Sequence, residues 1–106
     1  MAPARTNRKF VDEVRRLLSE RGMSVQELAQ QSGVSQSHLS RLLRTADYKK
    51  TPSPKLARTV AEVLGQPPDY FGEYREAVVV ERIKNSPRLR DRLYDELVTR
   101  KKRRQV

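Results

Sequence analysis

The run from Ser24 to Leu43, SVQELAQQSGVSQSHLSRLL, constrains the fold more than any other part of the chain. Ser24 followed three positions later by Glu27 has the spacing of a capping box, in which each side chain satisfies an orphan amide of a first helical turn. Val25, Leu28 and Ala29 share one face of the helix that starts there. Gly33 then supplies a residue tolerant of positive φ, and Ser35 caps the next helix, which buries Leu39 and Leu42. With so short a link the two helices must cross closely. Ala29 is small enough to permit the approach, and Val34 plugs the corner.

The same logic divides the rest of the chain. Residues 1–6, with Pro3 and Arg5, lack an apolar pattern and read as a flexible basic arm. A first helix is expected from about Asn7 to Arg21, with Phe10, Val11, Val14, Leu17 and Leu18 inward, Asp12, Arg15, Arg16 and Ser19 outward, and Gly22 at its end. After the polar loop DYKKTPSP, Ser53 as cap and Pro54 at the first helical position open a fourth helix carrying Leu56, Val60, Val63 and Leu64, which Gly65 stops. Asp69 is placed to cap a fifth helix through YFGEYREAVVVERIK. Phe71, Tyr74 and Val78 share a face of that helix, and Val79, Val80 and Ile83 spread apolar surface over its other sides, which implies burial on most sides. The β-branched run AVVVERI leaves a short strand as the alternative at 77–83; helix is the expectation. Ser86 and Pro87 start a last helix with Leu89, Leu93, Tyr94, Leu97 and Val98 along one side, ahead of the basic end RKKRRQV. The expected fold class is all-α: a five-helix domain over 7–72, a helical C-terminal extension over 73–99 and a basic tail over 100–106.

Composition narrows the function. A chain of 106 residues with 36% hydrophobic residues supports one modest core and no large cleft. There is no cysteine, hence no disulfide or thiolate chemistry. One histidine and no convergent carboxylate pair leave no set of residues able to share a catalytic mechanism, so the chain reads as a non-enzyme that needs no cofactor or metal. Four scattered glycines, at 22, 33, 65 and 72, form no phosphate-cradling loop. No apolar run approaches the roughly 20 residues of a membrane span, and the start MAPARTNRKF lacks a signal peptide's apolar stretch, so a soluble cytoplasmic protein is expected. A net charge of +10 makes nucleic acid the first partner to consider.

The third helix supplies the chemistry for that partner. Gln36, Ser40, Arg44, Ser37 and Arg41 fall within about 140° of its circumference, opposite Ser35, Leu39 and Leu42. This outward face is polar, short and free of carboxylates, as a phosphate-lined groove requires. Gln bonds adenine bidentately, Arg bonds guanine O6 and N7, and Ser bonds several base edges. His38 falls at the edge of the face, with no second ligand near it for a metal.

Residues 7–72, and ELAQQSGVSQSHLSRLL above all, resemble the phage-repressor or Cro-like (XRE-type) helix-turn-helix family. The resemblance implies a bundle of about five helices whose third helix enters the major groove, with dimers setting two such helices on half-sites about one DNA turn apart. It implies base reading by Gln36, Ser37, Ser40 and Arg41, and backbone contacts from Ser24, Ser35, Arg44, Lys49 and Lys50. Where the family's third helix often ends in Asn-Gly, this chain reads LLRTADYKKT.

Arg5, Arg8 and Lys9 read either as accessory DNA contacts or as a solubilising end. Tyr70, Phe71 and Tyr74 have the chemistry for base stacking but the placement of core plugs. Because the five-helix domain is complete by about residue 72, the apolar residues beyond it need another surface; Val79, Ile83, Leu89, Leu93 and Leu97 are the expected homodimer interface. The expected function is a sequence-specific regulator of duplex DNA, a dimeric repressor. The alternatives are an antitoxin-like autoregulator whose C-terminal helices bind a protein partner, and a nucleoid-associated protein with weak sequence preference.

Overall fold

A computed structural model describes residues 4–44 and 51–104, with side chains through 99. Among these residues every regular element is a helix: α1 Phe10–Arg21, α2 Val25–Ser32, α3 Gln36–Arg44, α4 Pro54–Val63, α5 Gly72–Asn85 and α6 Pro87–Arg104. The stretch 77–83 is therefore helix, not strand. The chain divides between Glu76 and Ala77 into two compact units.

In the first unit, α1 to α4 and the turn before α5 enclose one core. Phe10, Val14, Leu17 and Leu18 of α1, Leu28 and Ala29 of α2, Leu39, Leu42 and Leu43 of α3, and Leu56, Ala57, Val60 and Ala61 of α4 are all buried. Leu64, Tyr70 and Phe71 complete it. Phe71 meets Phe10 edge-on at 4.8 Å between ring centres and Tyr70 at 5.2 Å, the offset geometry that aromatic quadrupoles favour. These two aromatics are core residues, as their placement suggested, but they precede α5 and do not lie on it. The Tyr70 amide turns back to the Pro67 carbonyl at 3.0 Å, and the amides of Tyr74 and Arg75 both point to the Phe71 carbonyl, so the helix begins at Gly72. Asp69, expected as its cap, instead accepts from Arg5 at 3.3 Å.

Helix α1 begins three residues later than the periodicity suggests, and the reason is tertiary. Its cap residue Lys9 is extended and makes no side-chain cap. The carboxylate of Glu73 takes that role across the fold, accepting from the Phe10 amide at 2.7 Å. Thr6, expected within a flexible arm, is buried; its amide donates to the Tyr70 carbonyl at 3.0 Å, and its own carbonyl accepts from Arg75 at 2.5 Å. The end of that arm is thus tied to the domain by bonds that sequence periodicity does not register.

In the second unit, the rest of α5 and α6 carry the remaining apolar residues. No residue of α5 is buried, and Val78, Val79 and Val80 are 40 to 53% exposed, contrary to the expectation that a helix apolar on most sides is covered on most sides. Helix α6 runs on into the expected basic tail as far as Arg104. No Gly or Pro follows Pro87 to stop it, and Lys and Arg are good helix formers that suit a helix C-terminus. No described helix is long and apolar enough to cross a membrane.

Candidate nucleic-acid interface

The crossing of α2 and α3 is built as its residue order suggests. Ser24 caps α2, its hydroxyl oxygen accepting from the Glu27 amide at 3.1 Å. The reciprocal half of the box differs: the Ser24 hydroxyl itself donates to the Glu27 carboxylate at 3.3 Å. At the other end Gly33 takes φ +70°, and the Val34 amide wraps back to the Ala29 carbonyl at 3.1 Å. Ser35 then caps α3, accepting from the His38 amide at 3.1 Å.

This turn presents α3 with one face in and one out. Leu39, Leu42 and Leu43 are buried, whereas Gln36, Ser37, His38, Arg41 and Arg44 are exposed and Ser40 is partly so. Gln36, Ser37, Ser40, Arg41 and Arg44 together line an open groove of about 500 Å³. The whole helix contains no carboxylate, so the groove is lined by two cations together with amide and hydroxyl groups. Such a wall donates and accepts hydrogen bonds and attracts anions; it holds no nucleophile–base pair. Among the described residues no three His, Cys, Asp or Glu side chains converge to hold a metal ion.

Ser24, Ser35, Arg5, Arg8 and Lys9 are not among the residues that line that groove. Ser24 and Ser35 are exposed at the starts of their helices, with their hydroxyls engaged in the caps. Arg8 and Lys9 are exposed just before α1. Arg5 is exposed and joined to Asp69 by a single contact, a pairing worth little in water and easily exchanged. Lys49 and Lys50 lie outside the described residues. Of the expected dimer residues, Val79 and Leu97 are more than half exposed, while Ile83, Leu89 and Leu93 are partly buried.

Three residues with structural roles in the domain escaped sequence reasoning. Leu43 is buried, one helical turn beyond Leu39, a spacing that marks it as part of the same apolar row. Glu13 is 1% exposed, in register with Phe10 and Leu17 on the apolar face of α1. A carboxylate on such a row followed by an arginine three positions on is a detectable sign of a buried pair. Arg16 forks onto both Glu13 oxygens at 2.8 and 2.7 Å, and the Tyr70 hydroxyl donates to one of them. Bonding to Arg16, reinforced by Tyr70, holds the Glu13 carboxyl below its usual value against the opposing effect of burial. Burial first, and the Glu13 carboxylate second, push the Tyr70 hydroxyl up. Arg15 also does more than face solvent, since its guanidinium reaches the carboxyl end of α3 and donates to the Leu43 carbonyl.

A family model described as helix-turn-helix matches residues 14–71. Among solved structures, a chain of a SinR protein/SinI protein complex is similar in fold, with a TM-score of 0.50 at 23% identity over 90% of this chain and 96% of that one. Comparison with curated proteins returns no match.

Proposed function

The chain belongs to the XRE-type helix-turn-helix family of DNA-binding transcription regulators, and we propose that it represses by occupying an operator as a homodimer, reading the major groove of duplex DNA with α3. The observation that carries this reading is the acid-free groove wall of Gln36, Ser37, Ser40, Arg41 and Arg44. The first two, with Ser40 and Arg41, are the base readers, because their side chains combine bidentate and single hydrogen-bonding groups on one exposed face. Ser24, Ser35, Arg44, Lys49 and Lys50 contact the backbone, and Arg5, Arg8 and Lys9 add phosphate or minor-groove contacts. Dimerisation uses Val79, Ile83, Leu89, Leu93 and Leu97; the exposure of Val79 and Leu97 in the single chain supports an unfilled surface there.

Selection of bound fragments from random duplex DNA tests the reading, and a two-fold symmetric site is the expected product. Gln36→Ala and Arg41→Ala should each weaken binding to the selected site by about 1–3 kcal/mol and relax the preference at one position. Unchanged preference in both variants would remove α3 as the reader. Equal affinity for all duplexes with a steep salt dependence would favour the nucleoid-type alternative.

A second reading has one observation in its favour. The similar solved chain is in a complex with another protein, so the same apolar residues of α5 and α6 would serve a heterologous partner. Stoichiometric co-purification of a small protein, with the isolated chain monomeric by light scattering, would decide for it.

A further inference from the structure

Helix α3 has only nine residues. Few of its backbone groups are held by bonds inside so short a helix, and the last carbonyls of any helix lack such partners. Its amino end is capped by Ser35, the residue immediately before it. Its carboxyl end is held from a different element: Arg15 of α1 donates through Nη2 to the carbonyl oxygen of Leu43, which lies 28 residues further on. Arg15 is exposed, so burial does not force its side chain into that position. A guanidinium at a helix C-terminus is favoured by the helix dipole, and its planar donors fix direction as well as distance.

We propose that Arg15 is a positioning residue for DNA reading, anchoring the last turn of α3 to α1 and so setting the pose of Arg41 and Arg44. The proposal rests on the reading of α3 as the recognition helix. The buried Leu39, Leu42 and Leu43 fix how far α3 stands from the core. Apolar contact is non-directional and tolerates a small roll or slide of the helix. A hydrogen bond to a backbone carbonyl is directional and opposes that motion. Leu43 lies two residues past Arg41 and one before Arg44, so motion at its carbonyl transfers to both arginines.

The test compares the full-length protein with Arg15→Met, which keeps an unbranched apolar stem but neither the charge nor the donors, and Arg15→Lys, which keeps the charge but not the fork. In Arg15→Met, affinity for the selected duplex should fall about tenfold, as for the loss of one reading contact, while affinity for random duplex stays within about twofold. The salt slope of binding should stay at the wild-type value. Without DNA, amide exchange at Leu42, Leu43 and Arg44 should quicken in Arg15→Met while α2 is unchanged, and Arg15→Lys should recover little of either loss. A salt slope reduced by about one, with equal weakening on all sequences, would make Arg15 a phosphate contact and overturn the proposal. Unchanged exchange at the end of α3 would overturn it as well. If the wild-type protein prefers no duplex, the proposed DNA reading fails by itself, and the exchange measurement still decides whether Arg15 anchors α3.

Discussion

Glu13 illustrates how one buried carboxylate organises its surroundings. An ionised group out of water is unfavourable unless its lone pairs are satisfied, and here Arg16 takes both oxygens while Tyr70 adds a third donor. The arrangement joins the middle of α1 to the segment preceding α5. Because the folded carboxyl is lowered from the ordinary value of 4.5, the stability it contributes is present above that pH. It is lost as pH falls below 4.5 and through the folded value. The thermal midpoint should therefore fall as the solution is acidified past about pH 4.5, and Glu13→Gln should flatten part of that fall while lowering stability at neutral pH by about 1–3 kcal/mol. Tyr70→Phe, which removes only the hydroxyl, should cost about 0.5–1.5 kcal/mol in urea unfolding. The apolar row on α1 was legible in its sequence, but the identity of the third donor was not, since Tyr70 lies 57 residues away.

Among the elements, the turn between α2 and α3 is the most locally determined. Gly33 adopts a left-handed conformation, and an added Cβ would meet nothing within 4 Å, so backbone conformation alone sets the penalty for a side chain there. Gly33→Ala should lower stability by about 1–2 kcal/mol, measured as a shift in the urea midpoint without change of slope. The start of α1 is the opposite case. Its cap comes from Glu73, 63 residues along the chain from Phe10, and Glu73→Ala should destabilise the protein by about 0.5–2 kcal/mol. Amide exchange in that variant should quicken in the first turn of α1 before any other helix frays. No local pattern around Lys9 signals such a cap, which is why periodicity placed the helix start too early.

For the molecule as a whole, every buried apolar residue among those described lies between Phe10 and Phe71, inside the first of the two units. A fragment of residues 1–76 should thus fold by itself, with a cooperative thermal transition within a few degrees of the full chain. If the proposed dimer forms through the second unit, the fragment will be monomeric by light scattering. It will then bind a symmetric operator at least about tenfold more weakly than the full chain does, because the two half-sites are no longer linked. A fragment that remains dimeric would move the interface into the first unit.

The sequence by itself determined the all-helical class, the crossing of α2 and α3 and the polar outward face of α3. Caps, a left-handed glycine and a 3.6-residue period act over a few neighbouring residues, so the information is complete within the segment that uses it. Only the tertiary structure decided where α1 starts, which hydroxyl completes the bonding of the buried Glu13 and what holds the far end of α3. In each of these a polar side chain satisfies a backbone group or a charge that lies 28 to 63 residues away in sequence or is reached only once the helices have packed. Burial creates that demand for a partner, and the chain's path through space, not its local pattern, selects which residue meets it.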